Sequence, residues 1–202
     1  MNNDEIWRKA THVWNVGSTE LARLPNTIDK VAFIRLVEVL GDTSGRIAVS
    51  GVGTSGAAAK KIAHSLCCIE RPAYFLSPGD AVHGALGAVQ PGDPVILISK
   101  GGGTKEIVNL LPSLQVKKSF IVAVTEKEDS PLARAADLLI KVKVEREADE
   151  FNMLATTSTM AVTAVFDAVC IALMTYTNYT REQFAVIHPS GAVGERLLAG
   201  KE

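Results

Sequence analysis

Five short apolar runs, separated by stretches with helical spacing, set the tightest limit on what this chain can fold into. They are RIAVS (46–50), AYFL (73–76), PVILIS (94–99), SFIVAV (119–124) and DLLIKV (137–142). Strands that alternate with helices build parallel sheets, because a parallel neighbour is reached only through a crossover connection. These runs are apolar without strict alternation, which suits strands covered by helices on both faces. The expected fold class is therefore α/β: a three-layer sandwich around a central, mostly parallel five-stranded sheet.

Two amphipathic segments precede the first run. Ile6, Val13, Trp14, Leu21 and Leu24 recur at helical spacing, and a second segment from Ile28 to Leu40 ends at Gly41. In the C-terminal third a hydroxyl cluster, ATTST (155–159), opens a long apolar helix, and an HPSG turn leads into a last helix ending near Leu198. With 202 residues, 47% of them hydrophobic, the chain can bury one substantial core but not two ordinary domains. We expect a single domain over 1–202, with N-terminal helices over 1–44 and an α/β core over 45–199.

Charge removes several function classes. Lys and Arg total 21 against 22 Asp and Glu, and neither sign forms a long block, so no general affinity for nucleic acid or a membrane surface is expected. Any anion site must be local. The start MNNDEIWRK lacks the basic and apolar regions of a signal peptide, which points to the cytoplasm. The apolar stretch from Met160 to Met174 is interrupted by Asp167 and falls short of the ~20 residues of a membrane span, so it reads as a core helix. Asp167 then reads as a packing or capping partner for a buried donor. Cys67, Cys68 and Cys170 make no disulfide framework or zinc spacing and read as buried thiols.

The loops after the first and third runs carry the chemistry. GVGTSG (51–56) matches G-x-G-x-x-G, a turn that exposes amides at a helix N-terminus and favours an anion. A dinucleotide site also needs an acidic residue about 20 positions on, at the end of the second strand. That strand ends at Ser77, and Asp80 lies beyond Pro78 and Gly79, so the dinucleotide reading loses its main support. SKGGGTKE (99–106) offers a second hydroxyl, free amides and a helix start, but no G-K-[ST] closes it as in a P-loop. With ATTST, three sources of neutral donors surround one small anion: a single phosphate on a small molecule.

The segments SGVGTSGAAAKKIA, FLSPGDAVHGALGAV, PGDPVILISKGGGTKEI, SPLARAADLLIKVKVEREAD, ATTSTMAVTAVFDAV and FAVIHPSGAVGERLL, in this order, resemble the SIS (sugar isomerase) domain family, and within it the arabinose 5-phosphate isomerases. The resemblance runs from about Arg46 to Leu198 and implies a flavodoxin- or Rossmann-like fold. It also implies an enzyme that interconverts an aldose phosphate and a ketose phosphate through an enediol, with no cofactor. Moving a proton between C1 and C2 requires a base and acid/base help at the oxygens. The family's functional positions fall on His83, Glu106, Glu147 and His188. Gly53, Thr54, Ser55, Ser99, Lys100, Gly102, Thr104, Thr157 and Ser158 are the implied phosphate- and sugar-binding set. No tight ligand spacing joins the histidines and carboxylates, and no required metal is expected.

Plainer readings stand beside these. Glu106 lies in a first helical turn, where any carboxylate is favoured by the dipole. Glu147 lies in VEREADE, a charged run that most often means a solvated loop, and His83 and His188 are also readable as ordinary loop or core histidines. Two departures bear on activity: Thr54 stands where the family typically has lysine, and Lys100-Gly101-Gly102-Gly103 where it usually has Asn-Ser-Gly-Glu. Lys100 either restores the missing charge or points to solvent. A phosphosugar-binding sensor without turnover is the alternative to the isomerase. The resemblance further implies a homodimer or homotetramer, with His188 serving a neighbour's site, and the single-domain form of the family without regulatory domains. Trp7 and Trp14 suit either an interface or packing on their own domain. No basic helix-turn-helix segment suggests a nucleic-acid partner.

Overall fold

The computed structural model describes residues 2–189. Helix α1 (Asn3–Thr27) begins where the Asn2 side chain accepts a hydrogen bond from Glu5 N at 2.8 Å, and α2 (Lys30–Asp42) where Asp29 accepts one from Ala32 N at 2.7 Å. Each cap satisfies a donor that helix geometry leaves unpaired. The chain then alternates: β1 (Ile47–Gly51), α3 (Thr54–Cys67), β2 (Ala73–Phe75), α4 (Pro78–Ala81), a 3-10 turn (Ala85–Ala88) and β3 (Pro94–Ile98). It continues through α5 (Lys105–Val108), α6 (Leu111–Val116), β4 (Phe120–Thr125), α7 (Pro131–Ala135), β5 (Leu138–Lys141), α8 (Thr157–Tyr176) and α9 (Arg181–Ile187).

The five strands form one sheet in the order β2-β1-β3-β4-β5, and every pairing is parallel. Side chains alternate between its faces. Val49, Ile96, Ile98, Val122, Val124 and Ile140 pack in one core with α2, α3 and α8, while Ala48, Val95, Leu97, Ile121 and Ala123 join Ile107, Leu114 and Leu132 of α5, α6 and α7 in the other. This is the expected three-layer sandwich. The strand order reverses between β1 and β3, so the connections leave these two strands in opposite directions. The reversal opens a crevice beyond their carboxyl ends, where α/β sheets bind ligands.

Helix α8 is long and apolar enough to cross a membrane by length and composition, but it packs against α1, α2 and α3 and buries Ala161, Val165, Phe166, Val169 and Leu173. Two expectations are corrected on these helices. Asp167 meets no buried donor; it lies on the exposed side of α8, paired with Lys61 of α3. Of the cysteines only Cys170 is buried, and burial pushes its thiol up to about 11. Cys67 is exposed and Cys68 half-buried, because helical positions rotate by about 100° and the core-facing slot is taken by Leu66. Trp7 and Trp14 meet edge to face, 5.5 Å between centroids, and stay mostly exposed instead of packing on the domain core. The last helix expected near Leu198 lies outside the described residues.

Candidate functional site

The crevice is assembled from three loops, each with its own structural cause. In the first, a Cβ on Gly51 would lie 2.6 Å from Ser55 O, and one on Gly56 2.8 Å from Gly51 O, so helix α3 starts pressed onto the end of β1. Gly53 turns the chain with φ 59° and ψ −128°, a region that side-chain-bearing residues essentially never enter. Thr54 and Ser55 are thereby delivered to the crevice in the first turn of α3, at the positive end of its dipole.

The second loop is braced from beneath. Ser99, 3% exposed, shares a 2.8 Å hydrogen bond with Thr104 through their hydroxyls. The Lys100 carbonyl accepts Glu126 N at 3.0 Å and Thr125 Oγ1 at 2.8 Å, which ties the loop to the end of β4. Gly102, at φ 65°, returns its N–H to Ser99 O at 3.0 Å. The backbone of Lys100 is fixed while its side chain is left to reach across the crevice.

What it reaches is Glu147. The VEREADE run is not a solvated loop here: Glu147 is fully buried. Its Oε2 accepts Thr156 N at 2.9 Å, Ser158 N at 3.2 Å, Thr157 Oγ1 at 3.0 Å and Thr156 Oγ1 at 3.2 Å, and its Oε1 accepts Lys100 Nζ at 2.6 Å. Burial alone would raise the pKa, but hydrogen bonds from Lys100, Ser158 and Thr156 outweigh it and hold the carboxyl at about 2. Glu147 is thus the N-terminal cap of the 20-residue α8, supplied from outside the helix. This revises the picture of three donor sources around one anion: much of the ATTST cluster already serves an internal carboxylate.

Among the residues lining the crevice, Thr54, Ser55, Lys100, Thr125, Ser158 and Thr159 are polar, over an apolar floor that includes Ile98, Val124 and Val142. Among the described residues of this lining, Lys100 is the one charged side chain. Four of the expected binding residues therefore converge: Thr54, Ser55, Lys100 and Ser158. Gly53 and Gly102 shape the turns, while Ser99 and Thr104 bond each other below the lining. Thr157 is buried, its hydroxyl is shared between Glu147 Oε2 and the Arg146 carbonyl, and it is not among the lining residues. Thr125 and Thr159 complete the lining. Thr125 follows the apolar run of β4 as Ser99 follows that of β3, a strand-end hydroxyl that was the available signal.

The remaining acid/base candidates are less convergent. His83 is exposed in the turn after α4, where its N–H bonds Asp80 O at 3.0 Å, and Glu106 is exposed in the first turn of α5. Helix α4 lies against α5, but neither His83 nor Glu106 is among the residues that line the crevice. His188 is not brought to the crevice lining. Its ring stacks on Phe184 at 3.9 Å, and Nδ1 lies 2.9 Å from Phe184 O. Among the described residues no group of three or more His, Cys, Asp or Glu side chains is placed to hold a metal ion.

Residues 42–172 match the family model of the SIS domain. The chain is 38% identical over 179 residues to the arabinose 5-phosphate isomerase GutQ of Salmonella typhi, covering 89% of this chain and 56% of that protein. It therefore spans about half the length of the curated relatives it matches. Among solved structures it is similar to a candidate sugar-phosphate isomerase from Listeria monocytogenes, at 51% identity and a TM-score of 0.93, covering 94% of this chain and all of that one. It is also similar to an Escherichia coli CFT073 protein solved in complex with arabinose 5-phosphate, at 33% identity and a TM-score of 0.89, with the same coverage. By its sheet order, its crevice and these matches, the chain belongs to the SIS domain family.

Proposed function

We propose that this chain is a sugar-phosphate aldose–ketose isomerase, acting on arabinose 5-phosphate and ribulose 5-phosphate or a related pair through an enediol. The observation that carries this reading is a crevice whose described lining sets the Lys100 ammonium among neutral hydroxyls, in a chain that matches the sugar-phosphate-bound Escherichia coli protein over that protein's whole length. The positive end of α3 and the Lys100 ammonium suit the phosphate. Acid/base work at C1, C2 and their oxygens draws on His83, Glu106 and His188, while Glu147 acts through its ion pair with Lys100. His188, which is not among the residues lining this crevice, fits service to a neighbouring subunit in a homodimer or homotetramer. The exposed Trp7–Trp14 pair is compatible with such an assembly.

One observation favours a second reading, a phosphosugar sensor without turnover. Both oxygens of Glu147 are filled by internal donors, which leaves it a poor base as it stands. Heavy water separates the two. The protein is incubated with a panel of pentose and hexose phosphates, and deuterium at C1 or C2 is followed by NMR. The isomerase reading expects exchange with at least one sugar. Ligand-induced stabilisation without exchange for any of them would establish the sensor in its place.

A further inference from the structure

We propose that Lys100 is the phosphosugar-binding cation of this crevice, and that the buried Glu147 is a positioning residue that aims its ammonium, not the base that takes the carbon-bound proton. This deepens the isomerase reading and rests on it for the identity of the ligand.

Three features of the structure support the division of labour. The Lys100 backbone is pinned by two bonds from Thr125 and Glu126, so its side chain has a fixed origin at the end of β3. The side chain is 42% exposed, lines the crevice beside Thr54, Ser55 and Ser158, and commits one donor to Glu147. An ammonium carries three N–H donors, so two remain to face an anion. Glu147, with 0% exposure, gives Oε2 to the N-terminus of α8 and Oε1 to Lys100, and neither oxygen lines the crevice. A carboxylate that stabilises a helix start and a cation at once must lose several hydrogen bonds before it accepts a proton. Thr54 of the first loop lines the crevice without a charge, and the ammonium enters from Lys100 of the second loop. Glu147 holds that charge in place.

The proposal separates binding from chemistry, which makes it testable with Lys100→Met, Lys100→Arg, Glu147→Gln and the Lys100→Met/Glu147→Gln double variant. Binding of ribulose 5-phosphate and of inorganic phosphate is measured by calorimetry, exchange into heavy water is measured at saturating sugar, and circular dichroism checks folding. Loss of a charge-assisted hydrogen bond predicts roughly 10- to 100-fold weaker binding in Lys100→Met. Lys100→Arg should recover part of that loss. Glu147→Gln should weaken binding in the same direction, with the double variant no weaker than Lys100→Met alone. At saturation the exchange rate of Glu147→Gln should stay within about tenfold of the parent, whereas loss of a general base typically costs 10²–10⁴-fold. Unchanged binding in Lys100→Met overturns the proposal, and so does a Glu147→Gln variant that binds normally but no longer exchanges. If Glu147→Gln does not fold, Lys100→Met and Lys100→Arg alone decide the role of the cation. Absence of exchange in the parent protein would sink the isomerase reading, yet the binding comparisons would still decide the role of Lys100.

Discussion

Replacing Glu147 with glutamine should weaken the fold strongly near neutral pH and about half as much near pH 3. In the native state the carboxyl is held at about 2 against an ordinary 4.5. At about 1.4 kcal/mol per pH unit, that difference corresponds to roughly 3 kcal/mol of stability. A carboxyl whose folded pKa is depressed contributes fully above its unfolded pKa and loses that contribution as pH falls from about 4.5 through about 2. Glutamine keeps the shape but not the charge, so it resembles the protonated glutamate that acid produces. Urea unfolding followed by circular dichroism, run on both proteins, should give a gap of roughly 3 kcal/mol at pH 7 that narrows to about 1.5 kcal/mol near pH 3. Other titrating groups are common to both proteins and cancel in the difference. A gap of the same size at both pH values would refute the reasoning, because it would mean that the Lys100 and α8 bonds do not depend on the charge.

Two further substitutions test the frame around the crevice. Gly102→Ala should destabilise by roughly 1–3 kcal/mol in urea unfolding, since φ is 65° and an added Cβ would collide with the Ser130 side chain. Gly101→Ala next to it, where a Cβ meets nothing within 4 Å, should cost under about 1 kcal/mol. Asp167→Ala removes an ion pair whose side chains are 56% and 43% exposed, and its cost should stay within about 1 kcal/mol in the same assay, falling further in high salt.

The sheet was legible because its signals are local. Each apolar run is set off by glycine, proline or charged residues, and strand ends fall within one or two positions of those the pattern suggests. The two faces of the core follow from the period-two alternation of side chains along each strand, whereas the order 2-1-3-4-5 came only from the structure. The glycines of GVGTSG were likewise readable as a turn, although their separate reasons, two close approaches and one positive φ, needed the backbone. Glu147 was not readable. Its neighbours Glu145 and Glu150 are exposed while it is buried, and only donors at Lys100, Thr156, Thr157 and Ser158, brought together by the crossover into α8, compensate its desolvation. Cys67 was misjudged for the opposite reason: a buried thiol was inferred from residue type, whereas the rotation of α3 after Leu66 decides its exposure. Ser99 and Thr104 carry the right chemistry for a phosphate, but they spend it on each other, a pairing five residues apart that depends on how tightly the loop folds.

The measurement that bears most directly on the account is proton NMR of ribulose 5-phosphate incubated with the protein in heavy water. The account predicts an aldose phosphate that accumulates with deuterium at C2, the trace of an enediol reprotonated from solvent. Ribulose 5-phosphate that binds and stabilises the protein but returns neither aldose nor deuterium would contradict it.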